Sequence, residues 1–190
     1  AYRLLRRAKP SRVFVLGANH VRRLRGIALP RGELRLQTPL GSLQIDQGAL
    51  QALRGDPLFV SAPAALKREH SIELQLPFLA HVAPAARIVP LVVGALTWNE
   101  RRRAAHTLRG LLRPGDVLVA SSDFTHRGPN YRYRPFASGG DVRRRLQALD
   151  LQAFGQLERT DLAAWVRFKH RTGVTICGFE ALSLLREVLG

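Results

Sequence analysis

"RVFVLGANH" (residues 12–20) contains the first of three short apolar runs on which the fold prediction depends. A valine-rich run that ends in glycine is typical of a strand buried on both faces. Similar runs follow in "RIVPLVVG" (87–94) and "DVLVASSD" (116–123), with segments of helical spacing between them. Buried strands that alternate with helices predict an α/β fold: a single domain over residues 1–190 with a central, largely parallel or mixed sheet flanked by helices.

Further elements are predicted from hydrophobic spacing and turn residues. Weaker strands are expected in "GIALP" and "ELRLQTP", which a turn at Pro30–Gly32 separates, and in "LFVSA". Pro77 is expected to bend or end its helix, and Thr160 or Asp161 to cap another. Helices are predicted over six segments: 45–54, 70–82, 99–113, 141–157, 160–171 and 177–190.

The composition restricts the class of protein. Apolar residues make up 46% of the 190 residues and charged residues 23%, which excludes wholesale disorder. A single cysteine excludes an intramolecular disulfide and fits a reducing compartment. No apolar run has the length of a membrane span, and the first residues lack the pattern of a secretory leader. We therefore predict a cytoplasmic protein that does not cross a membrane.

The net charge of +16 raises the question of nucleic-acid binding. Only three of the 30 basic residues are lysines, so the excess is arginine, as a biased base composition alone would produce. The arginines are dispersed along the chain, and no short nucleic-acid motif is found. We expect no specific nucleic-acid partner.

Two histidines follow buried strands. Asn19 and His20 come after the first strand, and Asp123 and His126 after the last. Ligands of open α/β sheets bind at the carboxyl ends of the strands, and imidazole suits both metal binding and proton transfer. Asp123 is a candidate to orient the His126 ring or to act as a second ligand. The alternative is that each histidine is an ordinary hydrogen-bonded loop residue.

Cys177 is predicted to open the last helix, where free backbone N–H groups and the helix dipole favour the thiolate. A thiolate together with imidazoles makes a site for iron, copper or zinc. The alternative is a small, inert core residue, which is the commoner role of a lone buried cysteine.

The segment "EHSIE" (69–73) places Glu69, His70 and Glu73 close together at the start of a helix whose other face is apolar. One interpretation is a buried polar network that lines a pocket. The other is ordinary capping of that helix.

Six blocks of the sequence resemble, in order and spacing, the Memo family, called AmmeMemoRadiSam system protein B in bacteria and archaea. The blocks are "VFVLGANH", "TPLGSLQIDQ", "EHSIELQLPFL", "IVPLVVGAL", "SSDFTHRG" and "TICG". The resemblance extends from about Arg12 to the last helix and implies a fold like that of class III extradiol dioxygenases, which are non-heme iron enzymes.

The resemblance also implies roles for individual residues. His20 and Cys177 are expected to bind a metal, iron(II) or copper, with cysteine in the place of the dioxygenases' glutamate. His126 is expected to act as the acid/base, with Asp123 beside it. Asn19, His70 and Glu73 are expected to line or support the pocket. A dioxygenase-like or other redox activity follows as one hypothesis.

The alternative function is a non-catalytic adaptor that binds a metal or an anionic ligand in the same pocket. The expected ligand is a small molecule or a peptide, and the family name suggests a pathway link to AMMECR-type and radical S-adenosylmethionine proteins. Family members carry a Pro-His-Ala-Gly-Tyr segment with a further metal-binding histidine ahead of the first block, and a final strand after the last helix. Neither is in this sequence, so we expect the chain to be trimmed at both ends; the alternative is that this protein has lost a metal ligand.

Overall fold

The computed structural model describes residues 2–20, 24–67, 69–137, 139–159 and 161–190. Its strands are β1 (Arg12–Ala18), β2 (Ile27–Leu29), β3 (Arg35–Thr38), β4 (Gly41–Gln44), β5 (Phe59–Ser61), β6 (Arg87–Val93) and β7 (Val117–Ala120). Its α-helices are α1 (Tyr2–Ala8), α2 (Gln47–Leu53), α3 (Pro63–Lys67), α4 (His70–Glu73), α5 (Leu76–Val82), α6 (Trp98–Leu111), α7 (Val142–Glu158), α8 (Leu162–Thr172) and α9 (Phe179–Leu189).

Five strands form a mixed sheet in the order β5-β2-β6-β1-β7. β1 lies between β6 and β7 and is parallel to both. β2 is antiparallel to β6 and parallel to β5. β3 and β4 form a separate antiparallel hairpin. The sheet is therefore largely parallel, as the sequence predicted.

The alternation of side chains along β1 places apolar residues on both faces of the sheet. Phe14 and Leu16 belong to one core, whose other members include residues of α2, α6 and α9. Val13 and Val15 belong to the opposite core, with residues of α3, α4 and α5. Helices thus cover both faces, which explains why all seven residues of β1 are buried.

A third apolar cluster joins α7, α8 and α9 beside the sheet. Trp165 is fully buried there and stacks on Phe179, with ring centroids 4.8 Å apart. Its indole N–H donates to Ser183 Oγ at 3.0 Å. This cluster fixes the start of α9 beside the end of β7.

The α/β fold class is confirmed, and the differences in the elements are local. The segment 70–82 forms two helices, α4 and α5, with Pro77 in the first turn of the second, as the proline predicted. β3 pairs with β4, which the sequence did not predict. Asp161 caps α8, whereas Thr160 lies outside the described residues. Helix α9 begins at Phe179, so the prediction that Cys177 opens it was wrong by two residues.

Over the described residues, the longest and most apolar helices still fall short of what is needed to span a lipid bilayer.

Candidate functional site

The carboxyl ends of β1 and β7 lie side by side. The two strands are parallel, with Leu16 opposite Ala120, and the Ser121 N–H donates to Leu16 O at 2.8 Å. The segment that leaves β1 toward His20 and the segment that leaves β7 toward His126 therefore start from the same edge of the sheet. This is the arrangement that the sequence predicted for the two histidines.

Beyond β1, His20 contacts Glu69, the residue that caps α4. The His20 ring Nδ1 lies 2.8 Å from Glu69 Oε1, and the His20 backbone N–H donates to Oε2 at 2.8 Å. Glu69 Oε1 also accepts the Ser71 N–H at 2.9 Å. The Glu69 side chain is fully buried, whereas a third of the His20 side chain is exposed. The carboxylate thus holds an imidazole that is open to solvent.

His70 completes this cluster. Its ring stacks on the His20 ring with centroids 4.3 Å apart, and its Nδ1 lies 3.9 Å from Glu69 Oε1. Ser71 Oγ donates to Ala18 O at 3.2 Å, which joins α4 to the end of β1. Gly17 permits this contact, because an added Cβ would lie 2.5 Å from Ile72 Cγ1.

Two opposing effects act on the Glu69 carboxyl. Burial alone would raise its pKa, because a buried carboxylate loses its hydration. The hydrogen bonds from His20 and Ser71 favour the charged form, and the net result is a pKa below the ordinary value. Glu69 is therefore an anion at neutral pH, and it can only accept hydrogen bonds.

That constraint fixes the tautomer of His20. Since the carboxylate accepts, the ring hydrogen lies on Nδ1, and Nε2 carries either the lone pair of the neutral ring or a second hydrogen. A carboxylate that orients the ring through one nitrogen while the other binds a metal is the usual arrangement around metal-ligating histidines. The geometry suits His20 Nε2 for coordination when the ring is neutral.

A second polar cluster surrounds Cys177. The Asp123 N–H donates to Cys177 Sγ at 3.1 Å, and Ser122 Oγ lies 4.0 Å from the same sulfur. The Gly178 N–H donates to Ser122 Oγ at 3.0 Å. Cys177 is half-buried and precedes the capping residue of α9. The sulfur thus contacts polar groups at the exit of β7.

Thr175 holds His126 by three hydrogen bonds. The His126 N–H donates to Thr175 Oγ1 at 2.9 Å, and that hydroxyl donates to His126 O at 2.6 Å. His126 Nδ1 lies 2.8 Å from Thr175 O, so this nitrogen carries the hydrogen. His126 Nε2 faces Asp123 Oδ2 at 3.6 Å, and the ring packs against Tyr131. Nε2 is the nitrogen available for proton transfer.

The predicted site residues fall into two groups at this edge of the sheet. His20 and His70 belong to the first group, and Cys177, Asp123 and His126 to the second. Within the described ranges, the set of three or more ligand atoms close enough to share an ion comprises His20, Glu69 and His70, which lie within 4.8 Å of one another. Cys177 is not in this set, and a shared His20–Cys177 metal site stays a prediction.

The remaining predicted residues occupy different positions. Glu73 is exposed on α4. Asn19 lies between β1 and His20, and its Oδ1 is buried with no hydrogen-bond partner among the described residues. Thr125 Oγ1, in the loop after β7, is likewise buried with no hydrogen-bond partner among the described residues. Buried polar atoms are rarely left unbonded in a complete site, so both atoms are candidates to meet a ligand.

Sequence reasoning placed Glu69 in one polar cluster with His70 and Glu73 but gave it no role in the site, whereas it proves to be the central carboxylate. Its position immediately before a short helix was the available signal, since an acidic residue there caps the helix and lies at its positive end. Thr175 was also missed. Its neighbour across the site, His126, is 49 residues away in the chain, and no local pattern indicates such a contact.

Comparisons with known proteins agree with this fold. The family model for Memo-like proteins matches residues 1–189. The memo-1 homolog of Caenorhabditis elegans is 32% identical over 93% of this chain and 52% of its own length. MEMO1 of Danio rerio is 31% identical over 97% of this chain and 64% of its own length. MEMO1 of Homo sapiens is 29% identical over 100% of this chain and 66% of its own length.

The chain therefore spans between half and two thirds of the length of these relatives. Among solved structures, an uncharacterised protein of Escherichia coli K12 superimposes with a TM-score of 0.56. The superposition covers 99% of this chain and 79% of that one, at 15% sequence identity. This similarity supports the fold alone. The match over nearly every residue leads to one conclusion: the chain belongs to the Memo-like protein family.

Proposed function

We propose that the protein binds a single transition-metal ion at the exit of β1, and that His126 transfers protons beside it. The observation that supports the proposal is the His20–Glu69 pair. A fully buried carboxylate fixes an exposed imidazole in one tautomer, with a second imidazole stacked on it. Such an arrangement restricts a ring that would otherwise be free to rotate, as a metal site requires.

The available donors fit the metals that the family resemblance implies. Imidazole nitrogens and a carboxylate suit iron(II), copper(II) and zinc, and a thiolate would shift the preference toward softer ions. His20 and His70 would supply the nitrogen ligands, and Glu69, which already accepts three hydrogen bonds, would orient His20. When bound, iron(II) or copper would supply redox chemistry toward oxygen or a reducible substrate.

The role proposed for this chain's own residues is positioning and proton transfer. The Thr175 carbonyl keeps the His126 ring fixed through Nδ1, so Nε2 can take a proton from a substrate or return one. Asp123 Oδ2 lies 3.6 Å from Nε2, but the Asp123 side chain is 82% exposed, so solvent screens the interaction between the two groups.

Metal binding is tested by titrating the metal-free protein with iron(II), under exclusion of oxygen, and with copper. We expect about one ion per chain and a loss of roughly tenfold or more in affinity for His20→Ala, as removal of a directly bound ligand implies. The matched control is His106→Ala, an exposed histidine on α6. Equal affinity in the wild type and His20→Ala would remove the proposal. The same titration of Cys177→Ser decides whether the sulfur takes part in metal binding.

A second candidate is the non-catalytic adaptor that binds an anionic ligand or peptide. It is favoured by the charge beside His126, because residues 127–145 include six arginines and a single acidic residue. Retention of a partner by the metal-free protein, with no substrate consumed, would favour it. Links to AMMECR-type or radical S-adenosylmethionine proteins would be tested by the same retention experiment.

A further inference from the structure

An open groove of about 510 Å³ lies between α7 and the loop that follows β7. Its lining consists of Phe124 from the loop and Arg143, Gln147, Asp150, Leu151 and Phe154 from α7. The volume is in the range of sites that bind small molecules.

The helix side of the groove is apolar at one end and cationic at the other. Residues 143, 147, 151 and 154 recur at helical spacing and lie on one face of α7. Leu151 is 63% exposed and Phe154 48% exposed, which is unusual for large apolar side chains in neighbouring turns. An exposed apolar stripe that ends at an arginine is typical of a binding surface rather than of a helix that only faces solvent.

Arg143, which lines the groove, belongs to an arginine-rich stretch of the chain. The six arginines of residues 127–145 exceed the one acidic residue there, Asp141, by five charges. Asp141 caps α7 by accepting the Arg144 N–H at 3.2 Å. This local density departs from the dispersed pattern expected from the sequence as a whole. A concentrated positive surface attracts anions and speeds their encounter.

The groove is connected to the candidate site through the backbone. Phe124 is bracketed by Asp123 and His126 in the loop after β7, and its ring also packs against the cluster around Trp165. The Thr125 N–H donates to Asp150 Oδ1 at 3.1 Å, which attaches this loop to α7. A molecule in the groove therefore contacts the loop that carries the proposed proton-transfer residue.

We propose that this groove binds a small organic anion with an aromatic body, its ring against Phe124, Leu151 and Phe154 and its anionic group at Arg143. The assignment of this groove as the substrate subsite of the metal centre rests on the proposed function. The binding of an aromatic anion in the groove does not. Two phenyl groups favour a flat aromatic body, since aromatic rings pair favourably with one another. The volume favours a small molecule over a folded partner.

The test uses two fluorescent probes and the metal-free protein. One probe is 8-anilinonaphthalene-1-sulfonate, an aromatic anion, and the other is N-phenyl-1-naphthylamine, its neutral counterpart. We expect Arg143→Gln to weaken binding of the anion about 5- to 10-fold, the size of one charge-assisted hydrogen bond. Binding of the neutral probe should not change.

Matched variants separate this site from general attraction. Arg144→Gln removes the same charge from α7 outside the groove. It should weaken binding of the anionic probe less than about twofold, because salt screens exposed surface charges. Leu151→Ser should weaken binding of both probes. Leu40→Ser, at an equally exposed leucine on the β3–β4 hairpin, should leave binding of both unchanged. Equal effects of Arg143→Gln and Arg144→Gln would overturn the assignment, as would unaltered binding by Leu151→Ser.

Nuclear magnetic resonance of the histidine rings tests the link to the site. Saturation with the anionic probe should shift the His126 ring signals and leave those of His81, an exposed residue of α5, unchanged. Shifts confined to other residues would overturn the subsite assignment. Both measurements omit the metal, so failure here is distinguishable from failure of metal binding, which His20→Ala tests separately.

Discussion

At the scale of single residues, the candidate site depends on two side chains that orient histidines. Glu69 is the clearer case, because its three hydrogen bonds all come from N–H groups. In Glu69→Gln, one oxygen becomes an amide nitrogen that faces a donor, so at least one contact becomes unfavourable. Loss of a buried hydrogen bond to a charged group costs about 1–3 kcal/mol. We expect urea unfolding to show a loss of stability of this size.

The matched control for this substitution is Glu73→Gln, which makes the same chemical change at an exposed position of the same helix. Its expected effect is within about 0.5 kcal/mol, as for most surface substitutions. A stability of Glu69→Gln equal to that of this control would show that the Glu69 contacts contribute nothing to the fold.

Thr175 gives the second prediction at this scale. Thr175→Val keeps the shape but removes the hydroxyl, which accepts the His126 N–H and donates to the His126 carbonyl. A loss of about 1–3 kcal/mol is expected, and Thr175→Ser should recover most of it because it retains the hydroxyl. Nitrogen-15 shifts of the His126 ring should report hydrogen on Nδ1 in the wild type. Hydrogen predominantly on Nε2 would contradict the assigned tautomer.

Single residues also show where sequence reasoning about the site stops. His20 and His126 were found because each follows a recognisable buried strand, and the parallel arrangement places both at one edge. Cys177 was expected at the first position of the last helix, but the pairing of its sulfur with the Asp123 N–H joins residues 54 positions apart. Such a contact depends on how α9 packs against β7, which no local spacing encodes.

At the scale of elements, Gly178 determines how closely α9 approaches the sheet. An added Cβ there would lie 2.6 Å from Ser121 O and 2.5 Å from Ser122 Cβ, and neither backbone nor Cβ can rotate away. We expect Gly178→Ala to destabilise the fold by about 1–3 kcal/mol through overpacking. Because α9 would shift, the Asp123 N–H should also lose protection from hydrogen exchange.

Gly155→Ala is the control, and its expected effect on stability has the opposite sign. Gly155 lies within α7, and an added Cβ there meets no atom within 4 Å. Alanine is the better helix former by about 1 kcal/mol, so this variant should be as stable as the wild type or more stable. Thermal unfolding of the two variants side by side checks the prediction. A Gly178→Ala variant as stable as Gly155→Ala would mean that the Gly178 contact is relaxed at no cost.

The elements that were predicted and those that were missed differ in their patterns. Long helices such as α6 and α7 have a clear helical period, and the buried strands are near-continuous apolar runs. The predicted bounds of both agree with the structure within a few residues. β4 consists of Gly41–Gln44, in which a glycine and two polar residues hide the strand pattern. It becomes a strand by pairing with β3, an interaction that propensity alone does not indicate.

At the scale of the whole molecule, the covering of both sheet faces was predictable and the strand order was not. The near-continuous apolar runs of β1 and β6 required helices on each side. The placement of β1 in the interior and the antiparallel β2 follow from how the connections pack. The same packing buries carboxylates that lie far apart in sequence, and these set the pH dependence of the fold.

Three buried carboxyls share one electrostatic pattern. Burial alone would raise the pKa of Glu69, Asp56 and Asp116, but their hydrogen bonds lower it overall. For Asp116 the partner is Arg12, whose Nε donates to Oδ1 at 3.1 Å. A carboxyl whose pKa is lower in the folded chain stabilises the fold above its unfolded value, and this contribution is lost as the pH falls through the folded value.

The ordinary values are 4.5 for Glu69 and 3.8 for the two aspartates, so stability should decline as the pH falls below about 4.5. Repulsion among the positive charges also lowers the stability at low pH, because acid adds positive charge to a chain that already carries +16. Salt separates the two effects, since about 0.5 M NaCl screens exposed charges much more than buried pairs.

In high salt the wild type should therefore keep a steep loss of unfolding free energy below pH 4.5. Asp116→Asn should start from a lower stability at neutral pH and show a shallower loss, because the asparagine does not titrate while Arg12 stays buried. Glu73→Gln should follow the wild type. Urea unfolding at each pH measures these curves, and parallel curves for Asp116→Asn and the wild type would mean that the Arg12–Asp116 pair does not govern the acid transition.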